Sequence, residues 1–166
     1  MKIERLAKNE AATERIAREL AKMVKPPLVI LLEGELGAGK TTFARGFVQA
    51  LAGGAGVVVQ SPTFALARSY ATTPPVHHLD LYRLDDARGV ADHSLEELGL
   101  VELLRDDGAI ALVEWPRDLA PAGPTARVQI RDADGGGRHI SVDLPDASAT
   151  KVRSMTTSKS KPRRRA

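Results

Sequence analysis

The chain has 166 residues, 43% of them hydrophobic, with a formal net charge of +3 and no cysteine. That length suits one domain with a substantial core. The absence of cysteine excludes disulfides, thiolate chemistry and cysteine zinc sites. No apolar run approaches the roughly twenty residues of a membrane span, and the first residues carry no apolar export signal, so a cytoplasmic protein with no membrane partner is expected. The charge is unevenly spread: residues 147–166 hold seven Lys or Arg and no acid. Without those seven, 17 basic residues face 21 acidic ones, so the remaining body carries about −4. The basic character belongs to a tail and does not imply a basic nucleic-acid face.

Residues 9–24 read as an amphipathic helix with Asn9 as N-cap and an apolar stripe of Ala12, Ile16, Leu20, Met23 and Val24. The stripe suits packing on a sheet. The polar start, Asn9 to Thr13, is less easily explained by packing and is available to approach a nucleotide base. After Pro26 and Pro27 comes a short apolar run, Leu28 to Leu32, of the kind a buried parallel strand needs.

The next stretch, Gly34-Glu35-Leu36-Gly37-Ala38-Gly39-Lys40-Thr41, fits the phosphate-binding loop pattern without a mismatch. Phe43, Phe47, Val48 and Leu51 then recur at helical spacing, so the order is strand, glycine loop, helix. Glycines let successive backbone N–H groups point at phosphate oxygens. The helix start adds the positive end of its dipole. Lys40 supplies a point charge for the outer phosphates, and the Thr41 hydroxyl is placed to ligate Mg²⁺. A nucleotide held through its phosphates is the direct implication.

Ala52-Gly53-Gly54-Ala55-Gly56 breaks that helix, and Val57 to Val59 is predicted to begin a strand. Ser61 and Thr63, around Pro62, offer hydroxyls near the strand end or form a simple turn. Residues 65–70 and 76–82 are predicted to form a hairpin around Thr72-Thr73-Pro74-Pro75. Alternation places His78, Asp80 and Tyr82 on one face of its second strand. That face is either a polar site, in which Asp80 orients a water or accepts its proton, or a solvated surface. Two adjacent histidines without further ligands do not make a zinc site.

Residues 95–105 are predicted as a helix interrupted at Gly99. Asp106-Asp107-Gly108 turns the chain into a second continuous apolar run, Ala109 to Val113. Glu114 ends that run, where a phosphate-loop enzyme needs a carboxylate for Mg²⁺ or its water shell. Residues 126–131 and 138–144 alternate as two edge strands. From Ala147 onward the composition reads as disordered. The expected organisation is therefore a domain over 1–146 and a basic tail over 147–166. The expected fold is α/β of the P-loop NTPase kind: a mainly parallel central sheet flanked by helices, with a β-hairpin and antiparallel C-terminal edge strands.

Four motifs occur in order: Gly34–Thr42 with Arg45-Gly46, Ser61-Pro62-Thr63-Phe64, His78-Leu79-Asp80-Leu81-Tyr82-Arg83, and Val113-Glu114-Trp115-Pro116. Together they resemble the bacterial TsaE family (formerly YjeE), small ATPases of tRNA threonylcarbamoyladenosine biosynthesis. The resemblance runs from about residue 9 to 144 and does not reach the tail. It implies ATP and Mg²⁺ as nucleotide and cofactor, weak hydrolysis alone, and two partner proteins, TsaB and TsaD, with tRNA met indirectly through the complex. It also implies that Leu36, Gly37, Ala38, Gly39, Lys40, Thr41 and Thr42 bind phosphates, that Thr41 and Glu114 ligate Mg²⁺, and that Asp80, catalytic together with Lys40, is the functional acid near the γ-phosphate. Asn9 and Thr13 become candidates near the base, and Ser61, Thr63 and Trp115 resemble switch and interface positions.

Two other readings stand beside this one. A small-molecule kinase uses the same fold, although no arginine-rich lid segment is evident. A nucleotide-gated binding module without catalysis is the third. GTP is disfavoured because no Asn-Lys-x-Asp run is present.

Overall fold

The structure is a computed structural model, and it describes residues 1–84 and 93–146. The predicted disordered tail, 147–166, lies outside the described residues. In chain order the elements are β1 (Lys2–Ala7), α1 (Glu10–Met23), β2 (Leu28–Glu33), α2 (Lys40–Ala50), β3 (Ala67–Tyr70) and β4 (Val76–Asp80). A 3₁₀ turn (Tyr82–Leu84), α3 (His93–Glu97), α4 (Leu100–Leu104), β5 (Ile110–Glu114), β6 (Thr125–Asp132) and β7 (Arg138–Asp143) follow. The strands make one sheet in the order β1-β7-β6-β2-β5-β4-β3.

β2 is central because its sequence allows nothing else. Leu28 to Leu32 are all buried, and such a run needs cover on both faces. Parallel neighbours β5 and β6 supply its hydrogen bonds. Ile30 and Leu32 face a core shared with Phe43, Phe47 and Val48 of α2 and Ala17, Leu20 and Ala21 of α1. Val29 and Leu31 face a second core with Leu79, Val113 and Leu100, covered by the half-buried Leu95, Leu103 and Leu104. Phe43 and Phe47 are fully buried, and each contributes about 1.5–3 kcal/mol relative to exposure.

α1 starts where expected: the Asn9 side chain accepts from the Ala12 N–H at 2.9 Å. The helix lies directly on α2, and Arg45 Nε donates to Glu14 Oε1 at 2.8 Å across the pair. Contact is close enough that a Cβ on Gly46 would stand 2.6 Å from Glu14 Cα and its carbonyl oxygen.

The mainly parallel α/β fold is as expected, with local departures. Val57 to Val59 form no strand. Among the described residues no strand offers them a ladder, and β propensity without a partner is only side-chain packing. Val59 accordingly inserts into the helix-side core while Val58 is exposed. The hairpin strands are shorter than predicted, and Tyr82 lies outside β4, in the 3₁₀ turn. The cause is Asp80, whose Oδ1 accepts the Tyr82 N–H at 2.9 Å and turns the chain. β4 is buried throughout, so its polar face is not solvated. Gly99, at φ 69°, separates α3 from α4. The two C-terminal strands are not the edge strands expected from their alternation: they lie inside the sheet, β6 parallel to β2 and β7 antiparallel to β6, because β1 takes the edge. β1, which the sequence reading missed, pairs antiparallel with β7 and closes that side. Its Lys2-Ile3-Glu4-Arg5-Leu6-Ala7 pattern buries only Ala7 fully, as a charged edge strand should.

Candidate nucleotide site

The parallel strands β2, β4 and β5 end level with one another. Leu32 and Asp80 both stand in register with Glu114. This is the carboxyl edge of the sheet, where open α/β folds place their ligands. Each strand delivers one part of the site. β2 leads into the glycine loop, β4 ends in Asp80, and β5 ends in Glu114.

Gly39 caps α2 in the left-handed region, φ 106°, which glycine enters without strain. Gly37 also has positive φ, 77°. Lys40 opens the helix and is 5% exposed. Its ammonium donates to the carbonyl oxygens of Gly34 and Glu35 at 2.7 and 2.8 Å. It also stands 4.0 Å from the Trp115 ring centroid, a cation–π contact. Burial holds the Lys40 pKa below its ordinary value, against the opposing pull of Glu114, Asp80 and Glu35.

The Thr41 hydroxyl donates to the Glu114 carboxylate, at 3.0 and 3.2 Å from its two oxygens. Glu114 is 3% exposed. Its Oε1 is also 2.8 Å from Nε2 of the fully buried His78. Asp80 is buried and satisfied on both oxygens. Oδ2 accepts from the hydroxyls of Ser61 and, at 2.8 Å, Thr63. Oδ1 accepts from the Tyr82 backbone at 2.9 Å. Trp115 follows Glu114 with φ 56°, a strained value for a bulky residue. That turn brings the indole onto Lys40 and to 4.9 Å from the Tyr82 ring.

A cavity of about 320 Å³ gathers these groups: Leu36, Gly37, Gly39, Lys40, Thr41, Thr42, Ser61, Thr63, Asp80, Tyr82, Glu114, Trp115 and Glu10. Every residue predicted to bind phosphate or metal lines it except Ala38. Ala38 lines a second cavity, of about 540 Å³, on the other side of the loop. Asn9 and Thr13 line neither. The Asn9 side chain is engaged as the α1 cap, and Thr13 is 2% exposed. Their neighbour Glu10 is the residue of that turn that reaches the cavity.

Arg138 was missed by the sequence reading. From the start of β7 it donates to the carbonyls of Ala38 (3.0 Å) and Gly37 (3.3 Å), and it pairs with Asp132 at 2.9 Å. Arg138 therefore braces the loop through two of its carbonyls. Its only sequence signal was a cation after three glycines.

The donors fit Mg²⁺. One hydroxyl and one carboxylate, with room for phosphate oxygens and water, match how this ion is held. Among the described residues no cluster of three His, Cys, Asp or Glu suggests a metal cage. Charge argues the same way. Asp80 and Glu114 face one ammonium, with Glu10 and Glu35 at or near the rim, so a polyphosphate entering alone would meet net repulsion.

A loop of this kind, seated between a buried parallel strand and a helix, defines the phosphate-loop class of nucleotide-binding proteins, and the chain falls in that class by fold as well as by sequence. Within the class, its family is specific. The family model described as threonylcarbamoyl adenosine biosynthesis protein TsaE matches residues 7–140, and the chain belongs to this family. The tRNA threonylcarbamoyladenosine biosynthesis protein TsaE of Bacillus subtilis is 40% identical over 123 residues, covering 74% of this chain and 72% of that protein. The protein of the same name from Streptomyces coelicolor is 36% identical over 136 residues, 76% of this chain and 86% of the relative. The crystal structure of Bacillus subtilis YdiB superposes with a TM-score of 0.71 at 28% identity, over 93% of each chain. No helix among the described residues is long and apolar enough to cross a membrane.

Proposed function

We propose that this protein is a Mg²⁺-dependent ATPase that serves threonylcarbamoyladenosine modification of adenosine 37 in tRNAs, acting with TsaB and TsaD and meeting tRNA through that complex. The family carries the pathway. The observation that carries the ATPase reading is the convergence of Lys40, Thr41, Glu114 and Asp80 on one cavity at the carboxyl ends of β2, β4 and β5.

Loop N–H groups from Leu36 to Thr42 receive the phosphates, apart from that of Ala38, which donates to the Glu35 carbonyl at 3.0 Å. Lys40 exchanges its two loop carbonyls for β- and γ-phosphate oxygens, which satisfy a buried ammonium better than neutral oxygens do. Thr41 and Glu114 would hold Mg²⁺, which when bound supplies neutralising charge along the phosphates. Asp80 is the catalytic acid–base group. It orients a water in line with the γ-phosphorus and accepts its proton as the water oxygen bonds to phosphorus and the bond to ADP breaks. The adenine of ATP is directed toward the start of α1, where Glu10, rather than the capping Asn9 or the buried Thr13, reaches the cavity.

A low rate alone follows from Asp80. Its carboxylate already accepts from Ser61, Thr63 and the Tyr82 backbone, so these donors occupy the oxygens that a water would need. A partner that draws the Ser61–Thr63 segment away would free it. The test is ATP hydrolysis by the purified protein, alone and with TsaB and TsaD from the same source. Strong stimulation is expected. Absence of binding and stimulation by the pair would remove the partner-gated ATPase reading, and turnover that rises with a small acceptor would establish the kinase alternative. Unchanged turnover and tRNA modification in Asp80→Ala would favour a non-catalytic module.

A further inference from the structure

We infer that His78 is a positioning residue for the metal site: it holds the Glu114 carboxylate in place through Nε2, so that the carboxylate is set before any cation arrives. The inference rests on the reading of Thr41 and Glu114 as the Mg²⁺ pair and adds the residue that orients them.

β4 and β5 are parallel neighbours, with Asp80 in register with Glu114. His78 therefore stands one pleat before that register and on the same face as Asp80. Its side chain is fully buried, Glu114 nearly so, and Nε2 meets Oε1 at 2.8 Å. On its other side lies Tyr70, whose ring centroid is 6.3 Å away. Nδ1 of His78 is buried and has no hydrogen-bond partner among the described residues.

That orphan nitrogen is informative. A leucine or valine would fill an inner strand position without leaving any polar atom unmatched, and burying an unpaired polar group is costly. The return for the histidine is the bond to Glu114. The orphan also selects the tautomer. With the proton on Nε2, the unmatched atom is a bare acceptor; with the proton on Nδ1, the site would bury an unmatched donor and face the carboxylate with a lone pair. So Nε2–H donates to Glu114.

The two donors to Glu114 have different fates. Thr41 must turn its hydroxyl proton away from Glu114 to offer a lone pair to a cation, and that hydrogen bond is given up. His78 has no such duty, and its bond persists. Without it the carboxylate would be free to rotate about its side-chain torsions, and ordering it would weigh against metal binding. Outer partners of this kind are worth about 10–100-fold in metal affinity.

The experiment is titration of a fluorescent ADP analogue into the full-length protein, with Mg²⁺ varied and with EDTA. His78→Phe removes the donor and keeps a ring. The Mg²⁺ concentration for half-maximal effect is expected to rise about tenfold or more, with the affinity in EDTA within about twofold of wild type. His78→Gln carries an amide nitrogen at the position of Nε2 and should restore the Mg²⁺ response. His78→Asn carries one at the position of Nδ1 and should not. An unchanged Mg²⁺ response in His78→Phe, or equal responses in the Gln and Asn variants, overturns the inference. If His78→Phe fails to fold, as read by circular dichroism, the Gln–Asn pair decides alone. Wild-type binding that is indifferent to Mg²⁺ would instead sink the functional reading beneath it.

Discussion

Gly46→Ala sets two effects of opposite sign against each other. Gly46 sits inside α2, where alanine is favoured over glycine by about 1 kcal/mol. If local propensity ruled, the variant would be more stable. Packing predicts the reverse. The new Cβ would stand 2.6 Å from both Glu14 Cα and Glu14 O, and 3.0 Å from Glu14 C. All three are backbone atoms of α1, so no side chain can rotate aside. Ordinary contact requires α1 and α2 to separate by roughly 1 Å, and overpacking of this kind costs about 1–3 kcal/mol or more. Separation also stretches the Arg45–Glu14 pair, 2.8 Å long and partly shielded. The net expectation is destabilisation of about 1–2 kcal/mol, a fall in Tm of about 2–8 °C for a domain this size. Urea and thermal unfolding followed by circular dichroism measure it. A variant as stable as wild type, or more so, would refute the claim that backbone contact with Glu14 requires glycine here.

Other predictions concern the site and its frame. Lys40→Ala should weaken Mg²⁺–ATP binding by about 1.5–3 kcal/mol, the worth of a charge-assisted bond, measured by nucleotide titration; a complemented strain should lose tRNA modification, and retained modification would count against the ATPase. Burial lowers the Lys40 pKa, so nucleotide affinity should decline on the alkaline side below the ordinary lysine value of 10.5, and this alkaline limb should be missing from Lys40→Arg. Asp106, 2.8 Å from His77 Nε2, has its carboxyl pKa lowered by that hydrogen bond, with the Gly108 N–H assisting. Its contribution is present above the unfolded carboxyl value and is lost as pH falls through the lowered folded one. Asp106→Asn should therefore destabilise near neutrality by less than about 1 kcal/mol, the side chain being screened by solvent, and the difference should vanish in acid; a constant gap across pH would refute the assignment. Removing residues 147–166 should leave ATP binding intact in the same titration.

What could be read from the sequence was what depends on short range. The loop pattern needs eight consecutive residues, and its flanking strand and helix announce themselves by composition and period. Glu114 was legible because a continuous apolar run, Ala109 to Val113, ended in it. Val57 to Val59 misled because β-branching reports willingness to form a strand, while a strand exists only if another chain offers hydrogen bonds. β1 was illegible because its Lys, Glu and Arg hide the pairing that β7 imposes. Arg138 was unreadable for a stronger reason. It acts on Gly37 and Ala38, about a hundred positions away, and nothing local distinguishes it from a surface arginine.

The same contrast explains why the resting site is closed on itself. Local sequence supplies the reactive groups, and long-range folding satisfies each of them internally. Lys40 is held by loop carbonyls and Trp115, Thr41 by Glu114, Glu114 by His78, and Asp80 by Ser61 and Thr63. Buried polar groups must be matched in the absence of ligand, and Lys40, Asp80 and Glu114 are buried, so the site holds its reactive groups in exchangeable hydrogen bonds. A phosphate can replace the partners of Lys40 directly. The hydroxyls on Asp80 belong to a different segment, residues 61–63, which a phosphate on the loop does not displace. Under the proposed ATPase reading, binding and hydrolysis would therefore be separable in this architecture. Nucleotide would load through one set of exchanges, and turnover would wait on a second set that acts on the segment beside Asp80.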